Sequence, residues 1–266
     1  MQSVRYERSG AVGHIVLCNP PHNLLNVEFY EQLRAAVRSA TSDDLRAVLL
    51  RAEGPNFCGG GDTAVLGRLT PAEFRLLATE YNRSFRALEA LPVPTVAAVR
   101  GSVLGGGVEL ALSCDFIVAA RDAVFRQIEV SVGSMPIAGG VQRMAERIGR
   151  TRAALYAMLS LPMAGETAGE LGVASFVAPD EEVENVALDL VRKLAEGPTR
   201  SYAAVRQILK AWSAGGVAGA DAVMLDVALP LHGTADAARG RAAEKSRSGQ
   251  PPNEPCERVS AETACE

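Results

Sequence analysis

Pro94-Thr-Val-Ala-Ala-Val-Arg-Gly-Ser-Val-Leu-Gly-Gly-Gly-Val-Glu-Leu-Ala111 decides how this chain folds. Thr95 to Arg100 is short, apolar and β-branched, the pattern of a strand buried on both faces. Three glycines, Gly105 to Gly107, then interrupt the chain before Val108-Glu-Leu-Ala-Leu112 resumes helical character. Glycines between a buried strand and a helix let a ligand approach the backbone and leave N–H donors at a helix N-terminus, a setting suited to negative charge. A plain tight turn is the alternative reading of such a cluster on its own.

Upstream, Phe57-Cys-Gly-Gly-Gly-Asp62 repeats the arrangement after a second short buried strand, Arg46 to Arg51. Before it, Val12 to Cys18 reads as a strand ended by Asn19-Pro-Pro21. A helix follows, with Phe29, Leu33, Ala36, Val37 and Ala40 on one face. A further amphipathic helix over about 71 to 90 carries Phe74, Leu77, Ala78, Tyr81, Phe85 and Leu88, with Pro71 in its first turn. Cys114 to Ala119 and Ala123 to Phe125 add two short strands. Strands alternating with helices specify crossover units and a largely parallel sheet, an α/β fold.

Beyond residue 139 helices dominate: Val141 to Ile148, Arg152 to Leu159, Glu181 to Ala195 and Tyr202 to Trp212, with Ala174 to Ala178 as one strand candidate. The expected organisation is a core over 1–195, a helical C-terminal region over 196–247 and a mobile tail over 248–266, where periodicity is lost. No fixed-period repeat is present.

The 266 residues are 48% hydrophobic and 22% charged, enough to bury one substantial core. The net charge of −4 offers no basic field for nucleic acid or an anionic membrane. No apolar run reaches the roughly 18 residues a membrane span needs, and the first residues lack a signal peptide's apolar stretch, so a cytoplasmic protein is expected. Five cysteines without C-x-x-C and three scattered histidines give neither a disulfide framework nor a metal site.

The glycine clusters match neither G-x-G-x-x-G nor the Walker pattern, and no serine sits in a G-x-S-x-G elbow. Two glutamates remain as candidates for chemistry. Glu109, flanked by Val108 and Leu110-Ala-Leu112, is expected to be at least partly buried, which raises a carboxyl pKa toward neutrality. The plainer alternative is a helix-start carboxylate that complements the dipole. Glu129, in Phe125-Arg-Gln-Ile-Glu-Val-Ser-Val-Gly133, has an exposed strand position as its alternative.

Taken together, Asn19-Pro-Pro-His-Asn-Leu-Leu-Asn26, the two glycine clusters and Gly133-Ser-Met-Pro-Ile-Ala-Gly-Gly-Val-Gln-Arg143 stand in an order and spacing that resemble the crotonase family of enoyl-CoA hydratases and isomerases. The resemblance covers roughly residues 4 to 245. It implies a spiral of ββα units, a helical C-terminal region serving a homotrimer or a dimer of trimers, and an acyl-CoA thioester as substrate with no resident cofactor. It implies an oxyanion hole from the N–H groups of Gly59 and Gly106, with Gly60, Gly61 and Asp62 also at the substrate. It makes Glu109 and Glu129 the acid/base pair of a hydratase. Isomerases, decarboxylases and hydrolases of the same fold are the nearest alternatives, and a non-catalytic acyl-CoA binder is a third. Against the family pattern, Gly59 replaces alanine, Arg126 glycine and Ile128 proline, and the segment Asp236 to Lys245 lacks an aromatic. Arg126 either reaches the acyl pocket, where it would pair with a substrate carboxylate, or points to solvent. Parts of the 66–85 region and Met135 are expected at the acyl chain.

Overall fold

The computed structural model describes residues 2–248. The expected tail from residue 249 onward lies outside the described residues. The chain divides into two compact units, one running to Arg206 and the other starting at Gln207.

In the first unit, β1 (Val4–Ser9) and β2 (Val12–Leu17) form an antiparallel hairpin. There follow α1 (Val27–Ser42), β3 (Ala47–Ala52), α2 (Thr63–Leu66), α3 (Pro71–Glu89), β4 (Thr95–Val99), β5 (Ser102–Leu104) and α4 (Gly106–Leu112). Next come β6 (Phe116–Ala120), β7 (Val124–Arg126), a 3₁₀ turn (Glu129–Val132), α5 (Gly140–Ile148) and α6 (Arg150–Met158). Strand β8 (Met163–Ala164), α7 (Gly165–Leu171), β9 (Phe176–Ala178) and α8 (Val183–Glu196) complete the α/β part. Helix α9 (Thr199–Ala228) runs into the second unit, which ends in α10 (Ala235–Ser248).

Six strands form one sheet in the order β1-β2-β3-β4-β6-β9, parallel throughout from β2. Strands β5, β7 and β8 form a second, smaller sheet. Parallel neighbours need crossovers, and α1 and α3 supply the first two. Both helices are well specified locally. Asn26 caps α1 by accepting the Phe29 N–H at 2.8 Å. Thr70 and Glu73 form a reciprocal capping box at α3, with Pro71 in the first turn. Their buried faces, Phe29, Tyr30, Leu33, Ala36 and Val37 on one and Leu77, Tyr81, Phe85 and Leu88 on the other, lie in the core with β3 and β4.

Strand β1, absent from the sequence reading, alternates half-buried polar side chains at a sheet edge, a pattern that carries little apolar signal. The strand expected over 174–178 forms only at Phe176–Ala178, and the helix expected over 202–212 extends to thirty residues with a break at Gly216 (φ 63°, ψ −159°). The helical stretch Thr199–Leu231 is long and apolar enough, by length and composition alone, to cross a membrane, and its apolar window is almost wholly exposed in the single chain. Asp221 and Asp226 interrupt that window, which is why no unbroken apolar run showed in the sequence.

One polar network ties α3, β4 and β6 to the start of α9. Asp115 accepts the Thr95 N–H at 2.8 Å and the Arg206 Nε at 2.7 Å, while the same guanidinium donates to the carbonyls of Glu89, Leu91 and Val93. Removing one member of a largely buried charge pair leaves the other unpaired. Asp115→Ala is therefore expected to lower stability by about 2 kcal/mol or more, read from urea denaturation midpoints at constant m-value. An unchanged midpoint would show the network to be dispensable.

Candidate active site

The two glycine clusters meet backbone to backbone. Cys58 donates to the Ser102 carbonyl at 3.1 Å and accepts from Leu104 N–H at 2.9 Å, so the first cluster lies along β5. A Cβ at Gly107 would stand 2.4 Å from the Cys58 carbonyl oxygen, and one at Gly60 would stand 2.6 Å from the Leu104 oxygen. Only glycine permits this approach. The loop before α1 fixes the other side: Leu25 N–H donates to Gly60 O at 2.9 Å and Asp62 N–H to Leu25 O at 3.2 Å.

These bonds correct one donor. The Gly59 N–H is already donated to the His22 carbonyl at 2.7 Å and is not available to a substrate. Two residues on, the Gly61 N–H has no acceptor among the described residues, and neither has the Gly106 N–H in the first turn of α4. The donors left without an acceptor at the junction, among the described residues, belong to Gly61 and Gly106. Asp62, expected at the substrate, caps α2 by accepting from Ala64 and Val65.

Helix α4 carries Glu109 into the interior, where it is 2% exposed. Its Oε1 accepts the N–H groups of Ala138 and Gly140, both at 2.8 Å. Burial pushes its carboxyl up to about 7; the Gly140 N–H pulls against this, and the negative Glu129 adds to the rise. Glu129 arrives from the other direction. Gly105 N–H donates to Arg126 O at 2.8 Å, which seats the end of β7 beside the second glycine cluster and opens the 3₁₀ turn at Glu129. A Cβ at Gly105 would lie 3.1 Å from Glu129 Oε1. Burial raises this carboxyl too, and its Oε2 is buried without a partner among the described residues. Glu129 is thus no exposed strand residue. The charge of Glu129 adds to the rise at Glu109, whose carboxyl titrates near neutral pH.

Ala138 and Gly140, which orient Glu109, escaped the sequence reading, although the pair Gly139-Gly140 after Pro136 was the available signal. So did Gln127, a buried amide with neither side-chain atom partnered, 2.5 Å from where a Gly140 Cβ would lie. Met135 is exposed. Arg126 is exposed as well, its Nε donating to the Ser160 carbonyl at 2.7 Å, the surface alternative of the two. Burial pushes the Cys58 and Cys114 thiols up to about 12, so neither is a ready nucleophile. A groove along α3, lined by Pro71, Phe74, Arg75, Asn82, Arg83 and Arg86, includes none of the glycine or glutamate positions.

The raised Glu109 pKa has a sign that stability measures. The fold favours the protonated form, so this contribution is fully present below the ordinary value of 4.5 and is lost as pH rises through about 7. The displacement corresponds to about 3 kcal/mol. Glu109→Gln keeps an acceptor for Ala138 and Gly140 but cannot ionise. Its stability relative to the parent is expected to improve by about that amount between pH 4 and pH 8, measured by denaturant unfolding. A pH-independent difference would mean that Glu109 titrates normally.

Residues 7–237 match the enoyl-CoA hydratase/isomerase family model. A probable enoyl-CoA hydratase of Rhodobacter capsulatus is 34% identical over 213 residues, 79% of this chain and 81% of that protein. A trans-2-decenoyl-[acyl-carrier-protein] isomerase of Streptococcus mutans is 29% identical over 78% of this chain and 81% of its own length. The crystal structure of an enoyl-CoA hydratase from Polaromonas sp. JS666 superposes with a TM-score of 0.87 at 26% identity, covering 92% of this chain and 97% of the other. With the fold, the paired glycine clusters and the match over most of its length in agreement, the chain belongs to the enoyl-CoA hydratase/isomerase family.

Proposed function

We propose that the chain is an enoyl-CoA hydratase that adds water across the double bond of a trans-2-enoyl-CoA. The observation that carries this reading is the pair of carboxyls with raised pKa, buried Glu109 and half-buried Glu129, beside two backbone donors without an acceptor among the described residues. The N–H groups of Gly61 and Gly106 hold the thioester oxygen and stabilise the enolate charge that develops on it. One such donor contributes about 3 kcal/mol in a water-excluded site. The ionised member of the pair takes a proton from water as its oxygen bonds to C3. The protonated member delivers a proton to C2. The sum is water added and the pair's proton count restored, so the reaction requires no resident cofactor.

An isomerase needs only one carboxylate to move a proton between carbons, and a relative bears that name, which makes isomerisation the second reading. Loss of the enoyl absorbance of crotonyl-CoA without added cofactor tests the first. Either Glu109→Gln or Glu129→Gln is expected to slow hydration by at least about 10²-fold while CoA-ester affinity changes little. Near-native hydration by Glu109→Gln would remove Glu109 from the proton transfers, and no hydration by the parent chain would favour isomerisation centred on Glu129.

We also infer that the active form is a homotrimer or a dimer of trimers. Trp212, Val217, Met224, Leu225 and Leu229 of the second unit are exposed, more apolar surface than a lone chain ordinarily carries. Light scattering is expected to give three or six times the 28.0 kDa of one chain. A monomer at micromolar concentration, or partition of the chain into lipid vesicles, would contradict this use of the helix.

A further inference from the structure

Asn23, which follows exposed Pro21 and His22 in the loop before α1, is 1% exposed and holds a left-handed backbone (φ 49°) that asparagine tolerates better than most side chains. Both polar atoms of its side chain are used. Oδ1 accepts the Asn19 N–H at 2.9 Å, and Nδ2 donates to the carbonyls of Glu53 at 3.0 Å and Asn56 at 2.9 Å. The Asn23 carbonyl accepts the Cys58 thiol at 3.1 Å. Half-buried Asn56 continues the chain of bonds, since its Nδ2 donates to the Pro21 carbonyl and its Oδ1 accepts the Ser102 N–H, both at 2.9 Å. Two amides thus join three segments: the loop before α1, the stretch that leads into the first glycine cluster, and β5.

The two donors of the site depend on these joints. The Gly60 carbonyl and the Asp62 N–H are both spent on Leu25, so the Gly61 N–H between them turns away from the loop that Asn23 holds. On the other side, Asn56 Oδ1 at the Ser102 N–H extends by one step the pairing of Cys58 with Ser102 and Leu104, from which the chain runs through Gly105 to the Gly106 donor. We propose that Asn23 and Asn56 are positioning residues for the thioester oxygen: their amides hold the loop, the first glycine cluster and β5 in one register and so aim the Gly61 and Gly106 N–H groups at a single atom. This rests on the hydratase reading for placing that oxygen at those donors. Aim matters because a misplacement of about 1 Å, even one caused far from the chemistry, can cost about 10²-fold in rate. Glycine tolerates the left-handed backbone, so Asn23→Gly removes the side-chain bonds without straining the turn.

The test reads the donors directly. Hydrogen bonds to a thioester oxygen weaken its C=O bond, so the carbonyl stretch of butanoyl-CoA, a saturated ester that cannot be hydrated, falls in frequency when it binds to aimed donors. Infrared difference spectra with the ester isotope-labelled at its carbonyl carbon, calorimetric affinity and crotonyl-CoA kinetics are compared for the full chain, Asn23→Gly and Asn56→Ala. Asp115→Ala, whose network holds the start of β4, serves as a variant destabilised elsewhere. The two asparagine variants are expected to lose about half or more of the downshift and about 10-fold or more in kcat, with KM and affinity within about threefold of the parent. Asp115→Ala should melt at a lower temperature yet keep the downshift and kcat while folded. Should the first two variants not fold, Asn23→Asp and Asn56→Asp, which keep the acceptor oxygen and lose the donors, carry the same comparison. Folded asparagine variants with the parent's downshift and kcat, an equal loss of both in Asp115→Ala, or no downshift in the parent overturns the proposal. A parent downshift that the asparagine variants lose, with no hydration of crotonyl-CoA by any chain, would leave the positioning role standing and overturn the hydratase reading.

Discussion

The contact between Cys58–Gly61 and Leu104–Gly107 is the constraint on which the site depends. Two backbone segments that end different strands run side by side with no side chain between them, and a single methyl group at Gly60 or Gly107 would collide with a carbonyl. Because the segments touch, the unpaired N–H groups of Gly61 and Gly106 come from different parts of the chain yet belong to one surface. Donors held this way need no reorganisation when negative charge appears before them. The parallel sheet sets the spacing, since β3 leads into the first cluster and β4, its neighbour, into the second.

The same junction governs the acids. Helix α4 starts at Gly106, so Glu109 falls one turn inside it and faces the interior, while the Gly105 bond to Arg126 O draws Glu129 in from β7. A buried carboxyl survives there because Ala138 and Gly140 donate to it. That loop is held in turn by Arg143, which donates to Ala138 O at 2.9 Å and pairs with Glu89 of α3. The desolvation that raises the pKa of Glu109 and the bonds that limit the rise have separate structural sources. Their balance leaves the carboxyl titrating near neutrality, where proton transfer in both directions is useful.

The α/β alternation was legible in the sequence because β3, β4 and β6 are apolar runs between clear helix signals, the apolar face expected for α1 is buried, and α3 fell within a residue of its expected ends. Glu109 and Glu129 stood out in the sequence by their local settings, and Gly106 only through the family resemblance. The first donor was misplaced by two residues, because three consecutive glycines look alike until the His22 carbonyl claims one of them. Ala138 and Gly140 act through backbone N–H groups, for which the Gly139-Gly140 pair after Pro136 was the one mark in the sequence.

The proposed catalysis by Glu109 and Glu129 has a direct signature in the pH dependence of kcat/KM for crotonyl-CoA hydration. With Glu109 protonated and Glu129 ionised, the rate should follow a bell whose alkaline limb falls near pH 7, where Glu109 loses its proton. A profile flat from pH 5 to pH 9 at full activity would contradict the account, because it would show that neither carboxylate changes charge in the step that limits the reaction.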